Sequence, residues 1–424
     1  PRVICMKFRI SNSALITVLI WLFAGINLIG ILNIYYLLPI IISGCFFAYA
    51  FADLIQEKNG RLKINADNEK YILYIMSLQC VVFMIHNILL NILGRIEAAY
   101  VKASFVQLAC NWIVILGGWG FSYLLKEKNF KYMKCSLAMI FIATLVYQLF
   151  NLGIVDFFKG ILSVFTKQEI VNPLETCYDA VFSFGLLLIY MVNGRYFGNK
   201  AKLSKIILFS MFIILCGKRS LYLAIGVLIV FSIISIWIPK QKIHYIEDVA
   251  SIIMVAGYYM LVALLKNGVL SLTLYHKGIN TMGRIKMWDF ITDYFEFSPL
   301  YIGRGYNFAS LTVLENKVLT YKDNVYAWHG VVFSIFVDMG FIMFGFWLIY
   351  NLIVVPKLLR KKYNFYINLY WELTVYLFIL YLTESVINGV LTQATYMVIL
   401  MHSMYISEFP MQKEKYALKG IDDD

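Results

Sequence analysis

The sequence predicts an all-α polytopic integral membrane protein of about 12 transmembrane helices. Both termini lie inside, and one large extracytoplasmic loop carries a short amphipathic helix. Three observations predict this. The 424 residues are 61% hydrophobic and 15% charged, with a mean hydropathy of +0.73, whereas soluble domains are about 45–50% apolar and about 25% charged. The apolar residues fall in blocks close to the roughly 20 residues that a spanning helix needs. The basic residues concentrate in alternate gaps between the blocks, as positive-inside orientation requires.

In order, the blocks are 13–32, 34–53, 71–93, 103–125, 135–155, 176–193, 204–217, 219–238, 248–265, 328–351, 370–388 and 391–409. The seventh is short and meets the eighth at Gly217-Lys218-Arg219. With the N-terminus inside, the inside segments hold 24 Lys and Arg and the short outside segments hold 6. The other 7 lie in the loop 266–327, which does not count because long loops translocate regardless of charge. The expected layout is a membrane domain over 1–265, an extracytoplasmic catalytic loop over 266–327, a second membrane domain over 328–409 and a cytoplasmic tail over 410–424. The chain opens PRVIC, and Met6 begins a basic and then apolar MKFRI. Met6 is the expected start and the first apolar run a retained anchor, since no small-residue cleavage site follows it.

Composition also excludes. A net charge of +12 would suit nucleic acid, but the basic residues sit in short loops between spans, so no nucleic-acid partner is expected. Seven cysteines stand singly with no CxxC pair, which argues against a zinc site or a disulfide framework. Five dispersed histidines form no HExxH motif, so neither a metal nor any other cofactor is expected. No GxxxxGK[ST] or GxGxxG occurs, and the halves show no repeat of the kind transporters carry.

Ionisable residues inside a bilayer are costly and mark functional sites. Arg219 follows a short span on the expected outer face, against the orientation rule. Asp338 lies about 14 Å into the tenth span at 1.5 Å per residue. Glu384 and Asn388 near the outer end of the eleventh span, and Asp179 near that of the sixth, are expected to line the same cavity.

In the loop, 282–297 reads as an amphipathic helix. Lys286, Asp289, Asp293 and Glu296 form its polar stripe, and Ile285, Trp288, Ile291, Thr292 and Phe295 lie elsewhere. Arg284 falls on the apolar arc, pointing into the protein without a local carboxylate, which suits an incoming anion. Ser298-Pro299-Leu300 breaks the helix. Gly303-Arg304-Gly305 then makes a tight turn whose backbone N–H groups could approach a phosphate. Tyr326 and Trp328 are interfacial aromatics, and His329 places a titratable nitrogen at the mouth of the tenth span.

Three pieces of this sequence resemble the bacterial family of O-antigen and capsule polymerases (Wzy-like) and O-antigen ligases. Cys216-Gly217-Lys218-Arg219-Ser220-Leu221 is similar to that family's turn between two short spans. Gly283-Arg284-Ile285-Lys286-Met287-Trp288, followed by Pro299-Leu300-Tyr301-Ile302-Gly303-Arg304-Gly305-Tyr306-Asn307-Phe308, is similar to its Arg-to-Trp and glycine-turn segment. His329 with Asp338-Met339-Gly340-Phe341-Ile342 is similar to its His-Asn and Glu-x-Gly-Ile-Ile. The pieces cover about 205–345. Gly330 replaces the usual Asn, Asp338 replaces Glu, and Phe295 interrupts an Arg-x10-Gly spacing from Arg284.

The resemblance implies glycosyl transfer between lipid-linked oligosaccharides at the outer leaflet of a bacterial cytoplasmic (inner) membrane. The donor would be a glycan on undecaprenyl pyrophosphate, and the acceptor a hydroxyl on a second lipid-linked repeat unit. Membrane lipids and a chain-length regulator protein would be partners. Arg219 and Arg284 would hold the pyrophosphate leaving group by bidentate contacts, with Arg304, Lys218, Trp288 and Glu384 as further substrate contacts. His329 would be the general base, with Asp338 and Asp323 behind it. No metal is required. The near alternative is an O-antigen ligase with lipid A-core as acceptor. A lipid-linked oligosaccharide flippase is the alternative of another class. A metal-dependent lipid-sugar transferase fits poorly, because its acidic first outer loop would here be little more than Asn33.

Overall fold

A computed structural model describes residues 37–56, 66–163, 172–174, 178–193, 203–277, 283–321, 324–325, 329–363, 367–384 and 390–419. Among the described residues the fold is all-α apart from one pair of two-residue strands. Its helices are α1 (Leu37–Gln56), α2 (Ala66–Ile92), α3 (Val101–Leu125), α4 (Asn129–Leu152), α5 (Ile154–Leu162), α6 (Tyr178–Asn193), α7 (Leu203–Cys216) and α8 (Arg219–Ile236). They continue as α9 (Lys240–Lys266), α10 (Val269–His276), α11 (Arg284–Ile291), α12 (Phe308–Glu315), α13 (Val331–Ile349), α14 (Val355–Tyr363), α15 (Ile367–Tyr381) and α16 (Val390–Lys419). The strands β1 (Thr320–Tyr321) and β2 (Asn324–Val325) pair antiparallel, Thr320 opposite Val325. Long apolar runs become helices because in lipid each backbone N–H must find its acceptor within its own segment.

Of the expectation of about 12 spans, the described residues bear out the helical, apolar character and a smaller number of full-length candidates. Among the described residues, four helical stretches are long and apolar enough to cross a membrane: Asn68–Ile92, Val101–Leu152, Lys242–Lys266 and Val331–Lys362. Five shorter apolar helices accompany them: Ile40–Phe51, Asp179–Val192, Lys205–Cys216, Arg219–Ile234 and Leu369–Tyr381. The expected span 103–125 and all but the last three residues of 135–155 fall within the single stretch Val101–Leu152. A 3-10 turn at Lys126–Lys128 interrupts that stretch, and Lys126 has a φ of 49°. The expected span 13–32 lies outside the described residues.

Small residues let the helices approach, as membrane interfaces favour. A Cβ on Gly117 would lie 2.4 Å from Ser43 Cβ, and one on Gly120 would lie 2.7 Å from the Phe46 carbonyl oxygen, so α3 packs closely on α1. The main core lies around α6, α13 and α15, with Phe182, Phe184, Phe336, Phe344, Trp347 and Tyr376 buried. Asp179 accepts N–H bonds from Leu391 (2.9 Å) and Thr392 (3.0 Å). It thus caps the start of α16 with the first turn of α6, where a cavity-lining role was expected; Asn388 lies outside the described residues.

One crossing ties the loop segment to α13. Inside α13 the helix breaks at Gly340, with φ 82° and ψ 176°. The segment 301–305 runs into the break. Phe341 N–H donates to the Tyr301 carbonyl (2.8 Å), Gly305 N–H to the Asp338 carbonyl (2.8 Å), and Tyr301 Oη to the Val337 carbonyl (2.6 Å). A Cβ on Gly303 would sit 2.4 Å from the Asp338 carbonyl oxygen, and one on Gly340 would sit 2.3 Å from Ile302 C. Only two glycines allow the backbones to touch here. The N–H of Arg304 is spent on Val337 and Asp338 (3.2 and 3.1 Å). The expectation that this turn offers N–H groups to a phosphate is therefore corrected: they close the helix break.

Candidate functional site

The helix expected over 282–297 is shorter than that span. It forms only as α11, followed by a 3-10 turn at Thr292–Tyr294 and extended backbone at Phe295. Met287, Trp288, Ile291 and Phe295 are buried, while Lys286, Asp289, Asp293 and Glu296 are exposed, so the segment keeps two faces and packs its apolar one against the core. Its polar side is tied down as well: Ser271 Oγ donates to Asp289 Oδ1, and Lys266 Nζ donates to the Thr292 carbonyl (2.7 Å).

Arg284 opens α11 and does have a carboxylate partner, one that comes from far along the chain. Its Nη2 lies 3.3 Å from Glu384 Oε1, and the two side chains are 19% and 7% exposed. The same Glu384 oxygen accepts Ser220 Oγ–H at 3.0 Å. Glu384 N–H donates to the Leu380 carbonyl (2.9 Å), which holds the residue just past the end of α15. Three distant pieces, the start of α8, the start of α11 and the end of α15, thus meet on one oxygen.

His329 joins the group from the segment before α13. Trp288 Nε1–H donates to its carbonyl oxygen at 2.9 Å. The next residue, Gly330, has φ 106°, and a Cβ there would come within 3.1 Å of Trp288 Nε1 and 3.2 Å of the Leu382 carbonyl oxygen. That crowding and backbone explain glycine at a position where the resembling family carries Asn. Burial first, and then the Arg284 and Lys218 cations, push the imidazole down to about 4. His329 is therefore neutral at pH 7. Its Nδ1 and the Nε of Arg284 are both buried without a hydrogen-bond partner. Two orphaned polar atoms in one cationic corner are costly unless a ligand satisfies them.

The structure therefore brings Arg284, His329, Glu384 and Trp288 together, with Lys218 close enough to act on His329. Trp288 differs from its expected role: its ring is buried against Phe333 and its N–H is spent on His329, so it positions the histidine. Arg219 is exposed at the first residue of α8, between Lys218 and Ser220. Asp323 lies outside the described residues.

Two further expected residues are engaged by the backbone elsewhere in the loop. Arg304 donates its Nε–H to the Tyr294 carbonyl (3.2 Å), bracing the far end of the α11 segment. Asp338 is 2% exposed, and its carboxylate accepts the N–H groups of Asn307 (2.7 Å) and Ala309 (2.8 Å). It holds the turn into α12 beside the Gly303–Gly340 crossing, with its oxygens turned to backbone. Ser220 is the residue that sequence reasoning missed. Its signal was its place directly after Arg219, where a hydroxyl at the start of a helix faces whatever the turn faces.

Residues 205–348, about a third of the chain, match a protein family described as O-Antigen ligase. The match spans α8, α11, the glycine crossing and His329, and stops short of Glu384. No curated protein and no solved structure matches the chain. The similarity supports enzymatic activity in the broad class of glycan transfer at a membrane.

Proposed function

We propose that the chain transfers a glycan from a polyprenyl-pyrophosphate carrier to a hydroxyl acceptor at the outer leaflet of a bacterial cytoplasmic membrane. The observation that carries this reading is the corner in which Arg284 and Lys218 flank a neutral His329, with Arg284 Nε and His329 Nδ1 unpartnered. Cations beside a neutral base match the demands of displacing an anionic leaving group.

In the proposed step the acceptor oxygen forms a bond to the anomeric carbon, and the carbon–oxygen bond to the pyrophosphate breaks. The electron pair leaves with the polyprenyl pyrophosphate, whose charge Arg284, Lys218 and Arg219 stabilise. The acceptor proton passes to His329. An imidazole near pKa 4 is a weak base, but a diphosphate bound beside it offsets the cations and raises its pKa toward neutrality. Glu384 and Ser220 aim Arg284, and Trp288 and Gly330 aim His329. The positive-inside count supports an orientation with this corner on the outer side of the membrane, where lipid-linked glycans would be presented.

The family similarity favours ligation, for which the proposed acceptor is a lipid A-core sugar. Polymerisation of lipid-linked repeat units into O-antigen or capsule is the second reading. It rests on the order of the three sequence pieces, and it would bring in a chain-length regulator. Purified protein in liposomes, supplied with a lipid-linked repeat unit in chelator and without nucleotide, separates these. Glycan on added lipid A-core supports ligation, and a ladder on the carrier supports polymerisation. Movement of the intact carrier between leaflets without either product overturns the transferase reading in favour of a flippase.

A further inference from the structure

Helix α5 takes no part in the candidate site, yet its nine residues sort into three faces. Phe157 and Gly160 are buried, and Ile161 packs against the main core. Ile154, Val155, Phe158 and Leu162 are exposed at 68%, 65%, 56% and 56%. Asp156 and Lys159 pair with each other at 4.0 Å, both largely exposed. On a wheel of about 100° per residue, the buried set and the exposed apolar set each cover roughly 100°, and the ion pair fills an arc between them. A surface helix in water has two faces, apolar inward and polar outward. A third, outward apolar face calls for a third medium.

That medium is continuous with a spanning helix. Gly153, with φ 76°, turns the chain directly from the end of the stretch Val101–Leu152 into α5. The last turns of that stretch expose Ile142, Val146 and Phe150, the last at 82%. The exposed apolar face of α5 extends the same belt around a corner.

We propose that α5 lies in the plane of the bilayer interface on the site's side of the membrane. Ile154, Val155, Phe158 and Leu162 enter the acyl chains, and the Asp156–Lys159 pair stands in the headgroup layer. The anchor bears on the site through packing. Helix α5 packs against α7. Just beyond it, Asn172 Nδ2 donates to the Leu215 carbonyl (2.7 Å), and Cys216 Sγ–H to the Leu174 carbonyl (3.8 Å). Leu215 and Cys216 immediately precede the Gly217-Lys218-Arg219 turn. The lipid contact thereby fixes the depth of that turn relative to the headgroups, whichever reaction the site performs.

The test places a fluorescent amino acid at position 158, 162 or 156 of the full chain in nanodiscs of phosphatidylethanolamine and phosphatidylglycerol. All three positions are exposed, so the fold tolerates the label. The expected result is quenching at 158 and 162 by lipids brominated on their acyl chains with little quenching by aqueous iodide, and the reverse at 156. Strong iodide quenching at 158 and 162 would put the face in water and overturn the proposal. Shielding of 158 and 162 from both quenchers would mean that a protein or a second copy covers the face, and would overturn it equally.

Discussion

Arg284 and Glu384 are 100 residues apart in sequence, and their side chains meet at 3.3 Å on an oxygen that also accepts Ser220. The carboxylate aims the guanidinium while leaving its Nε without a partner. Glu384→Gln keeps an acceptor for both donors and removes the charge. It should lower kcat for glycan transfer by about 10²-fold, the cost of a misplaced catalytic group, with little change in thermal midpoint. Glu384→Ala should lower both, read by product formation and by a thermal melt in the same detergent.

Arg284→Ala should cost about 10²–10³ in kcat, as loss of one transition-state donor does. Arg284→Lys should recover little, because an ammonium replaces a planar fork with a point charge. Comparable rates for Arg284→Lys and wild type would remove bidentate recognition from the account.

The pH dependence follows from His329, held at about 4 in the folded protein against about 6.5 in an unfolded chain. As pH falls, the unfolded chain takes up the proton first. Its contribution to stability is therefore undiminished above about pH 6.5 and falls away between about 6.5 and about 4. The acid limb of kcat/KM, which reports the free enzyme, should lie near pH 4. The limb of kcat should lie higher, because bound diphosphate raises the imidazole. Lys218→Gln should move the kcat/KM limb upward by removing one of the depressing cations. A limb unmoved by Lys218→Gln would argue against His329 as the titrating group.

Gly303→Ala and Gly340→Ala should each destabilise the protein by at least about 1–3 kcal/mol from backbone strain alone, with backbone contacts of 2.4 and 2.3 Å added to that. Asp338→Ala should act in the same way, leaving the N–H groups of Asn307 and Ala309 buried without acceptors at about 1–3 kcal/mol each. These variants should lose folded protein, scored by size-exclusion recovery. A well-folded Asp338→Ala protein with no transfer activity would return Asp338 to the site.

Composition and the Lys and Arg distribution made the helical membrane class legible, because lipid leaves the backbone few solutions. Span number was less legible: runs such as 204–217 and 219–238 form helices too short to cross a membrane by length alone, and the runs 103–125 and 135–155 are separated by no more than a 3-10 turn at Lys126–Lys128 and a few further residues. Arg284, His329 and Glu384 could each be picked out as polar residues at the ends of apolar blocks. Their convergence could not, since Ser220, Arg284 and Glu384 meet only through tertiary packing. Asp338 and Gly303-Arg304-Gly305 read in sequence as ligand-binding features, a buried acid and a glycine turn; in the fold their partners are backbone groups of the chain itself.

The most direct measurement of the central claim is transfer of glycan from a lipid-linked donor to lipid A-core in proteoliposomes containing chelator, for wild type, Arg284→Ala and His329→Ala, each shown to be folded. Wild type should transfer glycan and both variants should not, with donor still bound by His329→Ala and bound weakly by Arg284→Ala. Undiminished transfer by either folded variant would contradict the claim.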